Sequence, residues 1–203
     1  AAKTPANTTT KTRMMVQIAM LTAVAEVLML FDFPLPFAPS FYKIDLSEVP
    51  ILIGCFAMGP AAGIIIEAMK ILLNFIISGT VTAGVGELAN FAIGCSMVLP
   101  AGLIYRYHKT RKNAVLGMAA GTLVMAAIGG LLNAFVLLPA YAALFGGMDA
   151  IIGMGTAVNK NITSVQSFVL LSVVPFNLVK GVIVSLVTFL LYKHVSRVLI
   201  HNA

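Results

Sequence analysis

Six apolar runs, separated by short breaks rich in proline, glycine or charge, organise this chain. They cover residues 14–31, 49–58, 61–77, 85–105, 114–139 and 165–191. A helix needs about 20 apolar residues to cross the hydrocarbon core of a bilayer. Five of the runs come near or pass that length, and each predicts a membrane-spanning helix. The second is too short to cross alone, and Gly59-Pro60 cuts it off from the third. It is expected to be tilted, capped by a loop or packed inside the bundle. A loop over 32–48 carries Pro34, Pro36, Pro39, Phe37, Phe41 and Tyr42, a glycine- and threonine-rich turn covers 78–84, and a long loop is expected over 141–164. Residues 1–12 are polar and threonine-rich, a composition that predicts disorder. The chain therefore reads as that tail followed by one membrane domain at 13–203. The first apolar run is long and no small-residue cleavage site follows it, so it reads as a span rather than a cleavable signal peptide.

Composition agrees. Of the residues, 60% are apolar and 10% charged, whereas a soluble domain carries about 25% charge. The prediction is an all-α integral membrane protein, a six-helix transmembrane bundle. The net charge of +6 is better explained by topology than by nucleic acid. Lys3, Lys11 and Arg13 precede the first run, Arg106, Lys109, Arg111 and Lys112 lie between the fourth and fifth, and Lys193 and Arg197 follow the sixth. Asp32, Asp45, Glu48 and Asp149 fall in the alternate loops. By the positive-inside rule both termini are cytoplasmic, and the 32–48 and 141–164 loops face outside. Cys55 and Cys95 sit singly in apolar runs and read as packing residues.

Polar residues inside the runs are the candidate chemistry. Glu67, Lys70 and Asn74 are spaced to share one helix face, and Glu67 and Lys70 are spaced to pair. Asn133 falls roughly 9 Å below the outer end of the fifth helix, at 1.5 Å per residue. Asn177 and Lys180, three residues apart on one face of the sixth, fall roughly 18 and 22 Å below its outer end. A lysine near mid-membrane costs roughly 3 kcal/mol on insertion scales, and no acidic residue in its own helix can neutralise Lys180. These groups either line a cavity open to the outside or form a polar network between helices. Pro175 removes a backbone hydrogen bond just before the Asn177–Lys180 pair and should loosen the helix there. Glu26, Glu87 and Asn90 are weaker candidates near the outer surface. Ala19 and Ala23, Gly59 and Gly63, and Gly117 and Gly121 are small-xxx-small pairs that permit close helix contact.

Several functions are set aside. No Gly-Lys dipeptide exists, so there is no phosphate-binding loop for ATP. Gly84-Val85-Gly86-Glu87-Leu88-Ala89 imitates a dinucleotide fingerprint without the strand-helix context that gives it meaning. His108, His194 and His201 lie at the basic edge, away from the polar interior. No arrangement of paired carboxylates, metal ligands or nucleophile and base is apparent. An enzyme using Glu67 and Lys70 as an acid–base pair is the one catalytic alternative.

With these residues in view, the chain resembles the substrate-binding S components of energy-coupling factor (ECF) vitamin transporters, and among them the riboflavin-binding members. The resemblance extends from Arg13 over nearly the whole chain. It is carried by Phe33-Pro34-Leu35-Pro36-Phe37, by Ile44-Asp45-Leu46-Ser47-Glu48-Val49-Pro50 and by Gly59-Pro60-Ala61-Ala62-Gly63. Lys70-Ile71-Leu72-Leu73-Asn74, Gly86-Glu87-Leu88-Ala89-Asn90-Phe91, Asn133-Ala134-Phe135-Val136-Leu137-Leu138-Pro139 and Pro175-Phe176-Asn177-Leu178-Val179-Lys180-Gly181 complete it. It implies a six-helix bundle in the bacterial cell membrane that takes up riboflavin, as substrate and not as cofactor, under a lid formed by the first loop. The implied substrate-binding residues are Asn133, Asn177 and Lys180, with backbone contacts around Ile44 and Asp45; Lys70, Asn74 and Glu87 are added from the polar interior. The resemblance also implies that Ala19 and Ala23 dock onto a transmembrane coupling protein driven by two cytoplasmic ATPases. An asparagine amide, with a donor and an acceptor, suits the pyrimidine edge of an isoalloxazine, where an N–H lies between two carbonyls. An S component for another vitamin or a nucleobase-like compound is the nearest alternative.

Overall fold

A computed structural model of the chain describes residues 6–80 and 82–200, and the side chains among them from 11 to 192. Lys3, Lys193 and Arg197, used above to argue topology, and the flanking His194 and His201 therefore have side chains outside the described residues. The first helix, α1 (Ala6–Leu30), begins inside the polar tail set apart in the sequence. Four further helices follow the predicted runs. They are α2 (Glu48–Met58), α3 (Pro60–Ser78), α4 (Val85–Tyr107) and α5 (Arg111–Leu132). α5 continues through a π-helical turn, Asn133–Leu137, into α6 (Leu138–Phe145). The remaining segments are α7 (Met148–Val158), α8 (Val165–Phe168), a second π-helical turn at Val169–Val173, and α9 (Val174–Ile200). Among the described residues, five segments are long and apolar enough to cross a membrane: 11–30, 60–78, 85–107, 111–145 and 165–192.

The short α2 is packed inside the bundle, against α1, α3, α4 and α9. Every residue from Glu48 to Phe56 is buried, as expected of a helix that is apolar on all sides. It stops at Gly59, whose φ of 103° reverses the chain, and Pro60 opens α3 where its missing N–H costs nothing. α5 lies close against α4 through the predicted glycine pair. A methyl group on Gly117 would stand 2.7 Å from the Ala101 carbonyl oxygen, and one on Gly121 would strike that of Met97. By contrast Ala19 and Ala23 lie on the exposed face of α1.

The 141–164 segment is not the loop expected from its glycines and polar cluster. It is largely helical. Gly146 and Gly147, with φ of 92° and 111°, make the bend between α6 and α7. Ile151 and Ile162 from this region, with Phe168 of α8, bury themselves with Ala38, Tyr42 and Ile44 of the first loop. Apolar residues at helical spacing outweighed the two glycines. The first loop itself carries a short antiparallel ribbon that pairs Phe33 with Ile44 and Pro34 with Lys43, and it lies over one end of the bundle.

Both π turns precede a proline by the same interval: Asn133–Leu137 before Pro139, and Val169–Val173 before Pro175. A proline has no N–H to donate, and its ring crowds the carbonyl four residues back. Widening the turn relieves that contact, and the N–H groups of Leu138 and Val174 bond five residues back, to Asn133 and Val169. π turns concentrate at functional sites, and these two flank the polar residues described next.

Candidate functional site

A cavity of about 690 Å³ opens at the first-loop end of the bundle, within the size range of small-molecule sites. One wall comes from the π turn at Asn133 and from α9, with Phe176, Asn177 and Lys180. The facing wall comes from α3 and the start of α4, with Asn74, Glu87 and Asn90. Phe41, Tyr42, Lys43 and Asp45 of the first loop close over it.

Each asparagine on the first wall is held by its own helix. Asn133 Nδ2 donates to the Gly129 carbonyl at 2.7 Å, and Asn177 Nδ2 donates to the Val173 carbonyl, the end of the second π turn, at 2.9 Å. Gly129 leaves room for this: a methyl there would lie 2.9 Å from Asn177 Nδ2. The Tyr42 hydroxyl donates to Asn133 Oδ1 at 2.5 Å. Burial raises the Tyr42 phenol far above its ordinary value, so it remains a neutral donor. Asn177 Oδ1 has no protein partner among the described residues, and its amide keeps one N–H free. Asn177 can therefore offer a donor and an acceptor side by side.

Lys180 is not alone. Its ammonium donates to Asp45 Oδ2 at 3.0 Å, with side-chain exposures of 12% and 10%. Asp45 Oδ1 accepts from the Ser47 amide at 2.8 Å. Burial works against the Asp45 charge. The Lys180 and Lys70 ammoniums and the Ser47 hydrogen bond outweigh it, and the carboxyl sits well below the usual carboxylate range. Behind this pair, Lys70 Nζ lies 2.9 Å from Glu67 Oε2, 3.0 Å from Glu48 Oε1 and 3.3 Å from Ser47 Oγ. All three ionic side chains are at most 2% exposed. Gly94 of α4 makes space for this triad, since a methyl there would stand 2.7 Å from the Glu67 carboxyl carbon.

Of the eight substrate-binding residues expected from the sequence, Asn133, Asn177, Lys180, Asp45, Asn74 and Glu87 line the cavity. Ile44 and Lys70 do not line it. Ile44 is fully buried in the apolar cluster under the loop, and Lys70 is enclosed between its two carboxylates. Asn74 donates to Glu26 Oε1 at 3.2 Å, which joins α3 to α1. Three features of the site escaped the sequence reading. Tyr42 was noted only as a loop aromatic, and its partner is 91 positions away. Asp45 was not matched to Lys180, 135 positions away. Glu48, assigned to the end of the outer loop, is instead the buried first residue of α2. A carboxylate directly before a short, wholly apolar run was the available signal for Glu48. For the other two the chain carries no local signal.

A family model described as "ECF transporter, substrate-specific component" matches residues 13–192. The riboflavin transporter RibU of Staphylococcus aureus (strain TCH60) is 35% identical over 91% of each chain. The riboflavin transporter FmnP of Bacillus subtilis (strain 168) is 33% identical over 90% of this chain and 91% of its own. A solved structure described as the S component of a bacterial ECF transporter superposes with a TM-score of 0.74 at 35% identity, covering 94% of this chain and 99% of that one. With a shared fold, a shared sequence pattern and nearly full mutual coverage, the chain belongs to the substrate-specific components of the ECF transporters.

Proposed function

We propose that this chain is the riboflavin-binding component of an ECF transporter in a bacterial cell membrane. The observation that carries the reading is the cavity itself. Asn177, with a donor and an acceptor both open, stands beside Asn133 and a neutralised Lys180, in a chain whose relatives are riboflavin transporters. The isoalloxazine lies against this wall, its pyrimidine edge toward the asparagines. Phe41, Phe176 and Leu137 supply apolar surface, and the ribityl hydroxyls face the polar side chains of α3 and α4.

With α2 and the loop before it counted as a sixth, incomplete crossing, both termini lie on the cytoplasmic side. The positions of Lys11, Arg13, Arg106, Lys109, Arg111 and Lys112 support that orientation. Nothing in the chain hydrolyses ATP, so uptake draws on a transmembrane coupling protein and two cytoplasmic ATPases. The exposed Ala19 and Ala23 of α1 provide the docking face.

The direct test is a titration of riboflavin with the purified, detergent-solubilised protein, followed by quenching of flavin fluorescence. Saturable quenching at one site per chain is the expected result. Its absence, in protein shown to be folded, would sink the riboflavin reading and favour an S component for a different small molecule.

A further inference from the structure

A second cavity, of about 280 Å³, lies at the other end of the bundle. Its walls are the end of α2 at Phe56, the turn into α3 at Pro60 and Ala61, and the end of α4 with Tyr105, Arg106 and Lys109. At 1.5 Å per residue, α4 rises about 29 Å from Glu87 in the first cavity to Arg106 in the second. The hydrocarbon core is about 30 Å thick, so this recess sits at headgroup level in the leaflet opposite the first cavity. Tyr107, beside Arg106, is 87% exposed, as expected of a tyrosine at the membrane–water interface.

The recess holds two cations and no anion. Arg106 and Lys109 are both exposed, and among the described residues neither side chain has an ion-pair or hydrogen-bond partner. None of the seven acidic residues of the chain lines the recess. The start of α3 has neither an acidic residue in its first turn nor a side-chain cap, so its dipole adds to the positive field. Arg111 and Lys112, at the start of α5, also lack ionic partners among the described residues, yet they do not line the recess. Basic charge is general at this level, but only Arg106 and Lys109 bring it to a cavity. Apolar surface leads away from the same place. Ala61, Ile65, Met69 and Leu72 follow one another along one face of α3 and all are exposed. Leu103, one turn before Arg106 on α4, is exposed as well.

We infer that this recess binds the headgroup of an anionic phospholipid, with Arg106 and Lys109 on its phosphodiester and an acyl chain along Ile65, Met69 and Leu72. Basic pockets between membrane helices on the cytoplasmic side suit such headgroups, and the orientation proposed above puts the recess on that side. An arginine takes two phosphate oxygens at once, and a lysine adds a point charge on a flexible stem. A zwitterionic lipid carries the same phosphodiester, but its quaternary ammonium would meet two cations with nothing to offset it. The apolar column separates a lipid from a free anion, which would use the charges and leave the column bare. The volume of about 280 Å³ falls just below the range of small-molecule sites, which gives room for a headgroup and not for a flavin.

The experiment is native mass spectrometry of the purified chain, with dioleoylphosphatidylglycerol and dioleoylphosphatidylcholine offered at equal concentration. The wild type is expected to retain its first phosphatidylglycerol at least fivefold over phosphatidylcholine. Arg106→Gln with Lys109→Gln should bring that ratio near one. Arg111→Gln with Lys112→Gln removes the same charge outside the recess and should leave the ratio within twofold of wild type. Ala61→Phe crowds the recess, keeps both cations and should also lower the ratio. Circular dichroism establishes that each variant is folded, and the wild-type comparison needs no variant. Equal retention of the two lipids by the wild type, or equal losses in the two double variants, would overturn the inference. Displacement of the bound lipid by millimolar glycerol 3-phosphate would also overturn it, by marking a site for soluble anions. So would loss of uptake in cells carrying the Arg106 and Lys109 variant with no lipid preference in the wild type, which would assign the recess to a partner protein.

Discussion

Replacing Asp45 with asparagine removes the carboxylate paired with the Lys180 ammonium and leaves that charge in a nearly dry site. At 3.0 Å and an effective dielectric of about 20, the gross attraction between the two charges is roughly 5–6 kcal/mol. Desolvation of both groups cancels much of this. Removing one partner of a buried pair nonetheless costs about 3–5 kcal/mol, because the other charge stays behind. The side chains are 12% and 10% exposed, so some water reaches them and the lower end of that range applies. The cavity side of Lys180 can also take up solvent. A double-mutant cycle of Asp45→Asn, Lys180→Met and the double variant is therefore expected to give a coupling energy of about 2–3 kcal/mol. Reversible unfolding in mixed micelles of mild and denaturing detergent, followed by circular dichroism, measures it without needing a tryptophan, of which the chain has none. Asp45→Asn alone should be less stable than the double variant. A coupling below about 0.5 kcal/mol, or a double variant no better than Asp45→Asn, would refute the claim that these two residues neutralise one another.

The pH dependence of the same pair has a definite sign. The Asp45 carboxyl is depressed in the folded protein, so its contribution is complete above the unfolded value of about 4 and is lost only as pH falls through the lower folded value. Riboflavin affinity and stability should thus be flat between pH 5 and 8 as far as Asp45 is concerned, and Asp45→Asn should not alter the slope there. Asn177→Ala should weaken riboflavin binding by about 1–3 kcal/mol, the cost of leaving buried polar groups unpaired; calorimetry showing unchanged affinity would remove Asn177 from the site. Lys70→Met leaves two buried carboxylates facing each other and should destabilise the fold by about 3–5 kcal/mol; a loss under 1 kcal/mol would mean the triad is not ionised as drawn. Ala19→Trp with Ala23→Trp should abolish riboflavin uptake by cells while leaving titrated binding intact, and equal uptake by wild type and variant would move the docking face elsewhere.

The helices were legible because bilayer crossing demands long apolar runs, and the boundaries of α3 and α4 fall within two residues of those read from the chain. Gly59-Pro60 announced the break between α2 and α3 for a local reason: one residue tolerates positive φ and the next cannot donate. The burial of α2 followed from its length, since 11 residues rise about 17 Å, well short of a bilayer core. Pro175 announced a loosened turn and the structure has one. Its twin at Pro139 went unread, because a proline near the expected end of a helix looks like a terminator. The 141–164 region was misjudged when Gly146-Gly147 was weighed above the apolar spacing around it.

What the chain determines by itself is the set of long apolar helices, their lengths, and the presence of a few polar side chains at depths where they must be satisfied. Those are consequences of backbone hydrogen bonding and hydrocarbon thickness, and both act locally. Which polar groups satisfy which was decided only by tertiary structure. Asp45 reaches Lys180, Tyr42 reaches Asn133 and Glu48 reaches Lys70 across 135, 91 and 22 positions. No periodicity links residues in a loop to residues in distant helices; only the folding of that loop over the bundle brings them together. The same step leaves Glu87 as the one cavity carboxylate without a cation among the described residues. Whether a charge is paired depends on every element around it, and that is a property of the assembled fold.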